Sequence, residues 1–421
     1  MPGIAPQWPP AHQGVSVRAD ESTVQGSVEP GFEPVRDAFV ANFRARREVG
    51  AACAVYFRGE KVVDLWGGYR HPSTRTPWEE DTLLTVFSTT KGVSSMALAV
   101  AHSRGLFDYD ERMATYWPEF ARGGKEDVTV RQVLSHQAGL CAIDEPMDLD
   151  LLGDADRVAD AIGKQVPAWT PGEHHGYHGV SLGWYESELL RRVDPQHRTL
   201  GAFFRDEVAT PLDLEFYIGL PPHVDRGRIA EIQGKHYGPR MLLNLYKLPM
   251  AFVFGFLNPA SITSRTFSNP AVLGQPDRYN DEAMRVIEIP AAAGIGCPRD
   301  IAKAYGTFAL GGGPLGLEAS TLDALEQPAR PPSKGSQDLV LRREMTYSLG
   351  YCKPSDSFSF GSSKRAYGTP GAGGSFAYAD PDLQLGFAYA MNRMDFYLVQ
   401  DPRETALSQA AERCAARLLE T

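Results

Sequence analysis

Cysteine is scarce in this chain, and the few cysteines are spaced in a way that argues against both a disulfide framework and a zinc site. Five of the 421 residues are cysteines, an odd number, and no two of them form a C-x-x-C pair. Disulfide frameworks and zinc sites usually show closely spaced cysteine pairs. The sequence therefore predicts reduced thiols, no metal site and a cytoplasmic location.

The chain also lacks an excess of basic residues. Its 42 lysines and arginines are outnumbered by 52 aspartates and glutamates, so the formal net charge is −10. A protein that binds nucleic acid needs a basic stripe, and none is visible along the sequence. No nucleic-acid partner is expected. The remaining composition is that of a globular protein long enough for a large core and two lobes.

No hydrophobic run is long enough for a transmembrane helix. The stretch MLLNLYKLPMAFVFGF at 241–256 contains Lys247 and Pro249 and falls short of the ~20 residues that a span needs. We expect this stretch to be buried or to line a cleft as an acyl pocket, and contact with a membrane surface is the weaker alternative. The N-terminal MPGIAPQWPPAHQG has no apolar signal-peptide core, so secretion is not expected.

Strand and helix signals concentrate at the two ends of the chain. A helix between Phe32 and Phe43, with apolar residues at helical spacing, precedes a hairpin over 52–70 that turns at its RGE triplet. At the other end, strands are predicted over 346–352, 375–380 and 383–393. A final helix is expected from the Asp-Pro pair that begins at residue 401, because Asp is a good N-cap and Pro suits the first helical position.

The middle of the chain is mostly helical with long loops. Thr129 and Gln132 are spaced as a capping box that opens one of these helices. The pattern predicts an α/β fold of the α+β type, in which an antiparallel sheet is built from both terminal segments, flanked by helices, beside a largely helical lobe. The sequence predicts three parts of the chain. They are a flexible arm at 1–28, a sheet lobe from 29–80 and 341–421, and a helical lobe at 81–340, with the site in the cleft between the lobes.

One short motif suggests catalysis. Residues 88–104, STTKGVSSMALAVAHSR, read as a helix that starts with Ser88 and carries Lys91 one turn later. The two side chains would share a face, and the helix N-terminus would supply N–H groups for an oxyanion. Lys91 can act as a base only if its pKa is lowered by burial or by a positive neighbour. Since about one such tetrapeptide is expected by chance, a capping serine with a solvent-facing lysine is the alternative.

Other interpretations of the sequence remain open. The G-x-S-x-G motif around Ser181 would suit an α/β-hydrolase, but the stretch before it is not a buried strand. His174, His175 and His178 could bind a metal, but the glycines among them argue against the regular helix that such a site requires. A binding or structural role without catalysis is a further alternative, because a fold does not dictate a function.

The chain resembles the serine β-lactamase and penicillin-binding-protein superfamily, and most closely its class C β-lactamase-like family VIII carboxylesterases. The resemblance covers about 32–420 and includes segments in the order and spacing of the family. These segments are TVFSTTKG, VTVRQVLSHQAGL, PAWTPGEHHGYH, EVATPLDLEFYIGLP, EIPAAAGIGCPRDIAKAYG and YGTPGAGGSFAYADPDLQLGFAYAMNRM. It implies a β-lactamase/transpeptidase-like fold, and it makes Ser88 the residue that is acylated, with Lys91 accepting or relaying its proton.

The resemblance also implies roles for two further motifs. In the triplet Tyr177-His178-Gly179, Tyr177 would be the general base and acid, provided that Lys91 lowers its pKa, and His178 would contact the substrate. Gly179 departs from the Asn that is usual in the family.

The third motif is Thr369-Pro370-Gly371, of which Thr369 and Gly371 would bind substrate. The N–H groups of Ala372 and Ser88 would form the oxyanion hole. Thr369 stands where the family has Lys or His, a cation that would bind a substrate carboxylate, so neutral esters should fit better than β-lactams.

We therefore expect a serine hydrolase that cleaves a small-molecule carboxylic ester through an acyl-enzyme at Ser88, with no metal or organic cofactor. Acyl transfer to an alcohol, amidase action and weak β-lactamase action are the alternatives on the same site. The sequence leaves the oligomeric state open.

Overall fold

A computed structural model describes residues 20–234 and 244–420. Its strands are β1 Gln25–Val28, β2 Gly50–Phe57, β3 Glu60–His71, β4 Thr76–Pro77, β5 Leu84–Thr85, β6 Phe216–Ile218, β7 Gly294–Gly296, β8 Gln337–Asp338, β9 Arg343–Glu344, β10 Tyr367–Pro370, β11 Phe376–Asp380 and β12 Leu385–Met391.

Its α-helices are α1 Glu33–Ala45, α2 Thr89–Ser103, α3 Met113–Tyr116, α4 Val130–Leu134, α5 Leu149–Leu152, α6 Ala155–Lys164, α7 Ser181–Val193, α8 Leu200–Phe204, α9 Thr210–Leu212, α10 Met250–Leu257, α11 Ile262–Ser268, α12 Glu282–Val286, α13 Pro298–Ala309, α14 Ala319–Glu326 and α15 Pro402–Leu419. A π-helical turn, Arg205–Ala209, joins α8 to α9. Short 3₁₀ helices occupy Glu21–Thr23, Pro118–Ala121, Arg226–Arg228, Leu245–Lys247, Ala271–Gly274, Pro276–Asn280 and Gly313–Leu315.

The main sheet joins the two ends of the chain. Its strands lie in the order β1-β3-β2-β12-β11-β10, all antiparallel, with β4 added to β3. The β2–β3 hairpin turns at Arg58 and Gly59, both with positive φ, which confirms the predicted turn. The N-terminal hairpin pairs with the C-terminal one through β2 and β12, where Cys53 faces Tyr389. The predicted antiparallel sheet built from both termini is confirmed.

Helices cover both faces of this sheet. The side chains of β2 alternate between the two hydrophobic cores, so that Val55 packs with α1 and α15 while Ala54 packs with α13. Where α13 crosses β12, Gly306 meets Gly386, and a Cβ on Gly386 would lie 2.2 Å from the Gly306 nitrogen. The two glycines therefore permit a close approach of helix to sheet.

Two local predictions differ from the structure. The strand predicted over 346–352 is wrong, because this segment turns back at Gly350, whose φ is +83°, and makes only isolated bridges. The edge strand on that side of the sheet is β10 instead. Residues 25–28 were predicted within a flexible arm but pair with β3 as strand β1. The rest of that arm, 1–19, lies outside the described residues, and the division into two lobes stays a prediction.

Several predicted helix signals are confirmed. The helix that follows Ser88 is α2, the capping box of Thr129 and Gln132 opens α4 with both of its hydrogen bonds, and Asp401 caps α15. None of the described helices combines the length and the apolar character that a membrane span requires. Of the apolar stretch 241–256, the part from 244 onward is described and forms a 3₁₀ turn and then α10.

Candidate active site

The candidate nucleophile stands at the start of a buried central helix. Ser88 is the N-cap residue of α2, and residues Thr89–Ala101 of this helix are buried in the larger hydrophobic core. Phe87, just before the serine, has a φ of +49°, an uncommon conformation for a residue with a side chain. Such backbone conformations cluster at functional sites, where they fix the direction in which the chain enters an element.

Lys91 reaches Ser88 as the spacing predicts. Its Nζ atom donates hydrogen bonds to Ser88 Oγ at 3.1 Å, to the Gly179 carbonyl at 2.6 Å and to the Ala291 carbonyl at 2.9 Å. The side chain is 1 % exposed, and burial lowers the pKa of Lys91 to about 7, against the opposing influence of Glu186. A lysine with this pKa is partly neutral at physiological pH and can accept a proton.

Tyr177 completes the group around the serine. Lys91 Nζ lies 4.8 Å from the centre of the Tyr177 ring, and Tyr177 and Ser88 line the same cavity. Burial raises the pKa of Tyr177 above its ordinary value, and the nearby Ser88 hydroxyl opposes that rise only in part. The expected lowering of this pKa by Lys91 is not found: Ser88, Cys352 and Asp338 are the groups that shift it, and desolvation is the largest cause. Tyr177 is a neutral phenol near pH 7 and is better suited to donate a proton than to remove one.

Two buried residues hold the Tyr177 loop in place. His136 Nδ1 accepts the backbone N–H of His178 at 3.0 Å, and the His136 ring packs 5.1 Å from the Tyr177 ring. Asp338 forms a β-bridge with His175 of the same loop, and the neighbouring Leu339 N–H donates to the His175 carbonyl at 2.9 Å. His136 lies in the VTVRQVLSHQAGL segment that carries the family resemblance, so a signal for it existed. Nothing near Asp338 in the sequence pointed to the site.

The structure buries His178 and Thr369 away from the cavity that contains Ser88. His178 is fully buried, its Nε2 accepts the Leu140 N–H at 3.2 Å, and burial lowers the pKa of the imidazole to about 3. Thr369 is 1 % exposed, and its Oγ1 lies beside Gly92 of α2. Neither residue lines the cavity that contains Ser88.

The turn between β10 and β11 lies against the start of α2. The Ser375 hydroxyl donates to the Val86 carbonyl at 2.8 Å and is 3.0 Å from the Thr89 hydroxyl. A Cβ on Gly371 would lie 2.5 Å from the Val86 oxygen, so only glycine permits this approach. Ala372, the predicted second oxyanion donor, follows directly and lines the same cavity as Ser88.

A cavity of ≈280 Å³ opens in front of Ser88. Tyr177, Gly371 and Ala372 line it together with Ser88. The remainder of the wall is largely apolar and includes Phe87, Leu245, Leu248, Phe252, Val253, Phe256, Leu257, Phe267, Leu273, Leu341, Met345, Met394, Phe396, Leu398 and Val399.

Charge is nearly absent from the wall of this cavity. Within the described ranges, Asp395 is the single charged residue that lines it, and its carboxylate is paired with Lys247 at 2.8 Å. A substrate carboxylate would therefore meet no cationic side chain of the described lining. The cavity suits an uncharged, apolar group.

The competing sequence motifs lie elsewhere. Ser181 begins α7 as expected from its sequence context, is 2 % exposed, and donates its hydroxyl to the Leu140 carbonyl at 2.8 Å. It has no place on the cavity wall, which argues against it as a nucleophile. In the part of the chain that the structure describes, no group of three or more His, Cys, Asp or Glu residues is arranged to hold a metal ion.

A serine hydroxyl next to a buried lysine and a tyrosine, at the start of a helix under a sheet edge, is an arrangement that suits nucleophilic acyl transfer. A family model described as Beta-lactamase matches residues 36–411. The chain belongs to this family.

Individual relatives agree with this assignment. The chain is 32% identical to the Esterase/beta-lactamase LipL of Mycobacterium tuberculosis over 378 residues, which is 88% of this chain and 83% of the relative. The crystal structure of a family VIII carboxylesterase is 37% identical, with a TM-score of 0.80 over 93% of this chain and 99% of the other. A penicillin-binding-protein homologue from Caulobacter crescentus is 32% identical, with a TM-score of 0.79 and the same coverage. The predicted fold and family are confirmed.

Proposed function

We propose that this protein is a carboxylesterase that cleaves neutral esters through an acyl-enzyme at Ser88. One observation carries the proposal: a buried lysine hydrogen-bonded to a serine hydroxyl that opens onto an apolar cavity. The esterase relatives at 32% and 37% identity support the same activity.

Acylation begins with proton transfer to Lys91. The neutral amine takes the Ser88 hydroxyl proton while Oγ forms a bond to the ester carbonyl carbon, and the carbonyl oxygen becomes an oxyanion. The backbone N–H groups of Ser88 and Ala372 donate hydrogen bonds to that oxyanion. Tyr177 then gives its proton to the leaving alkoxide as the C–O bond breaks, and the Lys91 ammonium restores the phenol.

Deacylation runs the same path in reverse with water in place of the alcohol. A water molecule attacks the acyl carbon, its proton passes to the Lys91–Tyr177 pair, and Ser88 Oγ leaves and is reprotonated. The free acid departs and the resting site is restored. Each proton that is removed is returned, so the cycle needs no cofactor.

The cavity supports esters whose acyl group is apolar and of modest length. A β-lactam or a peptide C-terminus carries a carboxylate, which would be desolvated in this cavity without a charge-assisted partner. Thr369 cannot supply that partner because it is uncharged and its side chain lies under α2. β-Lactamase action is therefore the weaker alternative, whereas amidase action and acyl transfer to an alcohol would use the same acyl-enzyme.

Labelling with an organophosphonate ester probe, followed by mass spectrometry, tests the nucleophile. We expect one label on Ser88, absent from Ser88→Ala and retained by the matched variant Ser181→Ala. A label on Ser181 would instead support the G-x-S-x-G interpretation, and the absence of any labelled serine would favour a binding role.

Two activity measurements separate the alternatives on the same site. A series of p-nitrophenyl esters assayed beside nitrocefin ranks esterase against β-lactamase action. Product analysis with an added alcohol separates hydrolysis from acyl transfer.

A cytoplasmic location belongs to the same proposal. All five cysteines are unpaired and buried, as reduced thiols in a cytoplasmic protein would be.

A further inference from the structure

A carboxyl group lies buried beneath the nucleophile helix, outside the site described so far. Glu186 of α7 is fully buried, and its Oε1 accepts a hydrogen bond from the Ser95 hydroxyl at 2.8 Å. Among the described residues, its other oxygen, Oε2, has no hydrogen-bond partner. A buried carboxyl with one hydrogen bond is unusual, because most buried polar atoms are fully satisfied.

Glu186 lies close to Lys91, the proposed base, because it contacts a residue one helical turn from that lysine. Ser95 follows Lys91 by four residues on α2, so the two side chains lie on one face of the helix, one turn apart. The loop at Gly350 closes over this region, since a Cβ there would lie 1.8 Å from Ser95 Oγ and 3.2 Å from Glu186 Oε1. Glu186 and Lys91 are therefore enclosed in one region of low dielectric constant, where charges interact strongly.

The other titratable groups around this pair are neutral near pH 7. Tyr109 and Tyr351 face Glu186, and burial raises the pKa of both phenols. The groups that face Lys91 are Cys352, whose thiol pKa burial raises, and His136 and His178, whose pKa values burial lowers. Lys91 and Glu186 are left as the groups in this region that change charge near neutrality.

We propose that Glu186 is a positioning residue that acts through Lys91 and sets the pH range in which Lys91 can take the proton of Ser88. The inference rests on the proposed function, in which Lys91 is the base. An ionised Glu186 stabilises the ammonium form of Lys91, whereas a protonated Glu186 leaves the amine free to act.

The charge balance favours this coupling. Burial raises the pKa of Glu186 to about 8 and lowers that of Lys91 to about 7, while each group shifts the other toward its charged form. Two groups with such similar proton affinities titrate as a pair. When the Glu186–Lys91 pair holds one proton, an ionised Glu186 favours its placement on Lys91. The acid limb of the pH–rate profile, where activity rises as Lys91 loses its proton, therefore lies at a higher pH than it would without Glu186.

Glu186→Gln tests the inference, because glutamine keeps the size of the side chain and the acceptor for Ser95 but cannot become negative. The measurement is the rate of Ser88 phosphonylation as a function of pH. We expect the acid limb to move to lower pH by about one unit, as for a single charge acting across several ångströms at an effective dielectric constant near 20.

Glu188→Gln is the matched control on the same helix. The Glu188 carboxylate is paired with Arg191 and Arg192, at 2.9 and 2.7 Å. Glu188→Gln removes one carboxylate, as Glu186→Gln does, and should leave the acid limb of the pH–rate profile at the same pH.

Ser95→Ala is a second variant that tests the same inference, and it is needed if Glu186→Gln does not fold. It removes the hydroxyl that stabilises ionised Glu186, so the limb should move in the same direction by a smaller amount. An unmoved limb, or a uniform loss of rate at all pH values, would show that Glu186 serves packing alone and overturn the inference. If Ser88→Ala keeps full esterase activity, the proposed function fails instead, whatever the two variants do.

Discussion

Lys91 illustrates how burial and hydrogen bonding set the chemistry of one side chain. Its three hydrogen-bond acceptors are a hydroxyl and two carbonyl oxygens, which are polar but uncharged. Removal from water disfavours the ammonium form, and the carboxyl of Glu186 offsets only part of that cost. Lys91 is therefore a mixture of ammonium and neutral amine near pH 7. The same burial keeps Tyr177 as a neutral phenol.

The pH dependence of ester hydrolysis should report the ionisation of Lys91. Because the neutral amine is the active form, kcat/KM should rise as the pH increases through about 7. Lys91→Ala should lower kcat/KM by about 1,000-fold, the size of effect typical of a general base. The measurement is a pH–rate profile of the wild-type protein and the variant with one p-nitrophenyl ester.

Lys353→Met is the matched control for this prediction. Lys353 is also buried, its pKa is also lowered to about 7 by burial, and its Nζ donates to the Glu326 and Arg365 carbonyls. Its substitution should leave the position of the acid limb unchanged in folded protein. Near-wild-type activity of Lys91→Ala would show that the base is another group.

Tyr177→Phe separates the two roles considered for the tyrosine. If Tyr177 donates a proton to the leaving alcohol, the variant should lose about 100-fold in kcat/KM, which reports acylation, with an alkyl ester but much less with a p-nitrophenyl ester. The reason is that p-nitrophenolate leaves without being protonated. Steady-state kinetics with two esters that share an acyl group make the comparison, and equal losses on both would favour a general-base role.

Only one side of the helix α10 lines the cavity in front of Ser88. All eight residues of α10 are uncharged, and its inner side supplies Phe252, Val253 and Phe256 to the cavity. Phe254 lies on the opposite side and is 67% exposed. Residues two apart in a helix point in nearly opposite directions, so Phe252 and Phe254 cannot both line an acyl pocket.

Phe252→Asp should change the preference for acyl-chain length, and Phe254→Asp serves as its control. A carboxylate at residue 252 would have to be desolvated by a long acyl chain, so activity should shift toward short acyl esters. At residue 254 the same carboxylate stays in water and should leave the ranking unchanged. The measurement is kcat/KM over a p-nitrophenyl ester series in folded protein. An identical ranking in both variants would mean that the acyl group binds elsewhere.

At the scale of the whole molecule, the buried side chain of Arg403 contacts segments that are far apart in the sequence and lie near the site. Arg403 of α15 pairs with Asp401 at 2.8 Å and with Glu48, just before β2, at 3.3 Å. It also donates to the Gly373 carbonyl at 2.6 Å, which belongs to the turn that follows β10. The two ends of the chain and the predicted oxyanion turn therefore share one ion-pair network.

Arg403→Ala should destabilise the protein by about 3–5 kcal/mol, because it leaves buried carboxylates without their partner. The free energy of unfolding, measured by urea denaturation, tests this prediction. Arg413→Ala is the control on the same helix; that side chain is exposed, so its loss should change the stability by less than about 0.5 kcal/mol. A similar stability for both variants would contradict the proposed role of the network.

Features that depend on neighbouring residues could be predicted from the sequence. The Ser88–Lys91 spacing, the capping box at Thr129 and the hairpin turn at Gly59 involve residues within a few positions of one another. The strand over 346–352 was predicted wrongly because its β-rich composition gave no sign of the turn at Gly350.

The sequence by itself determined the nucleophile helix, the capped helix starts and the pairing of serine with lysine, since all three follow from local geometry. Only the tertiary structure decided which groups surround that pair. Asp338, which bridges to His175 in the Tyr177 loop, and Glu186, which lies beneath the nucleophile helix, come from segments about one hundred or more residues away from the partners they act on. Their influence arises from burial, which is the sum of packing by the whole chain and cannot be read from any short stretch of it.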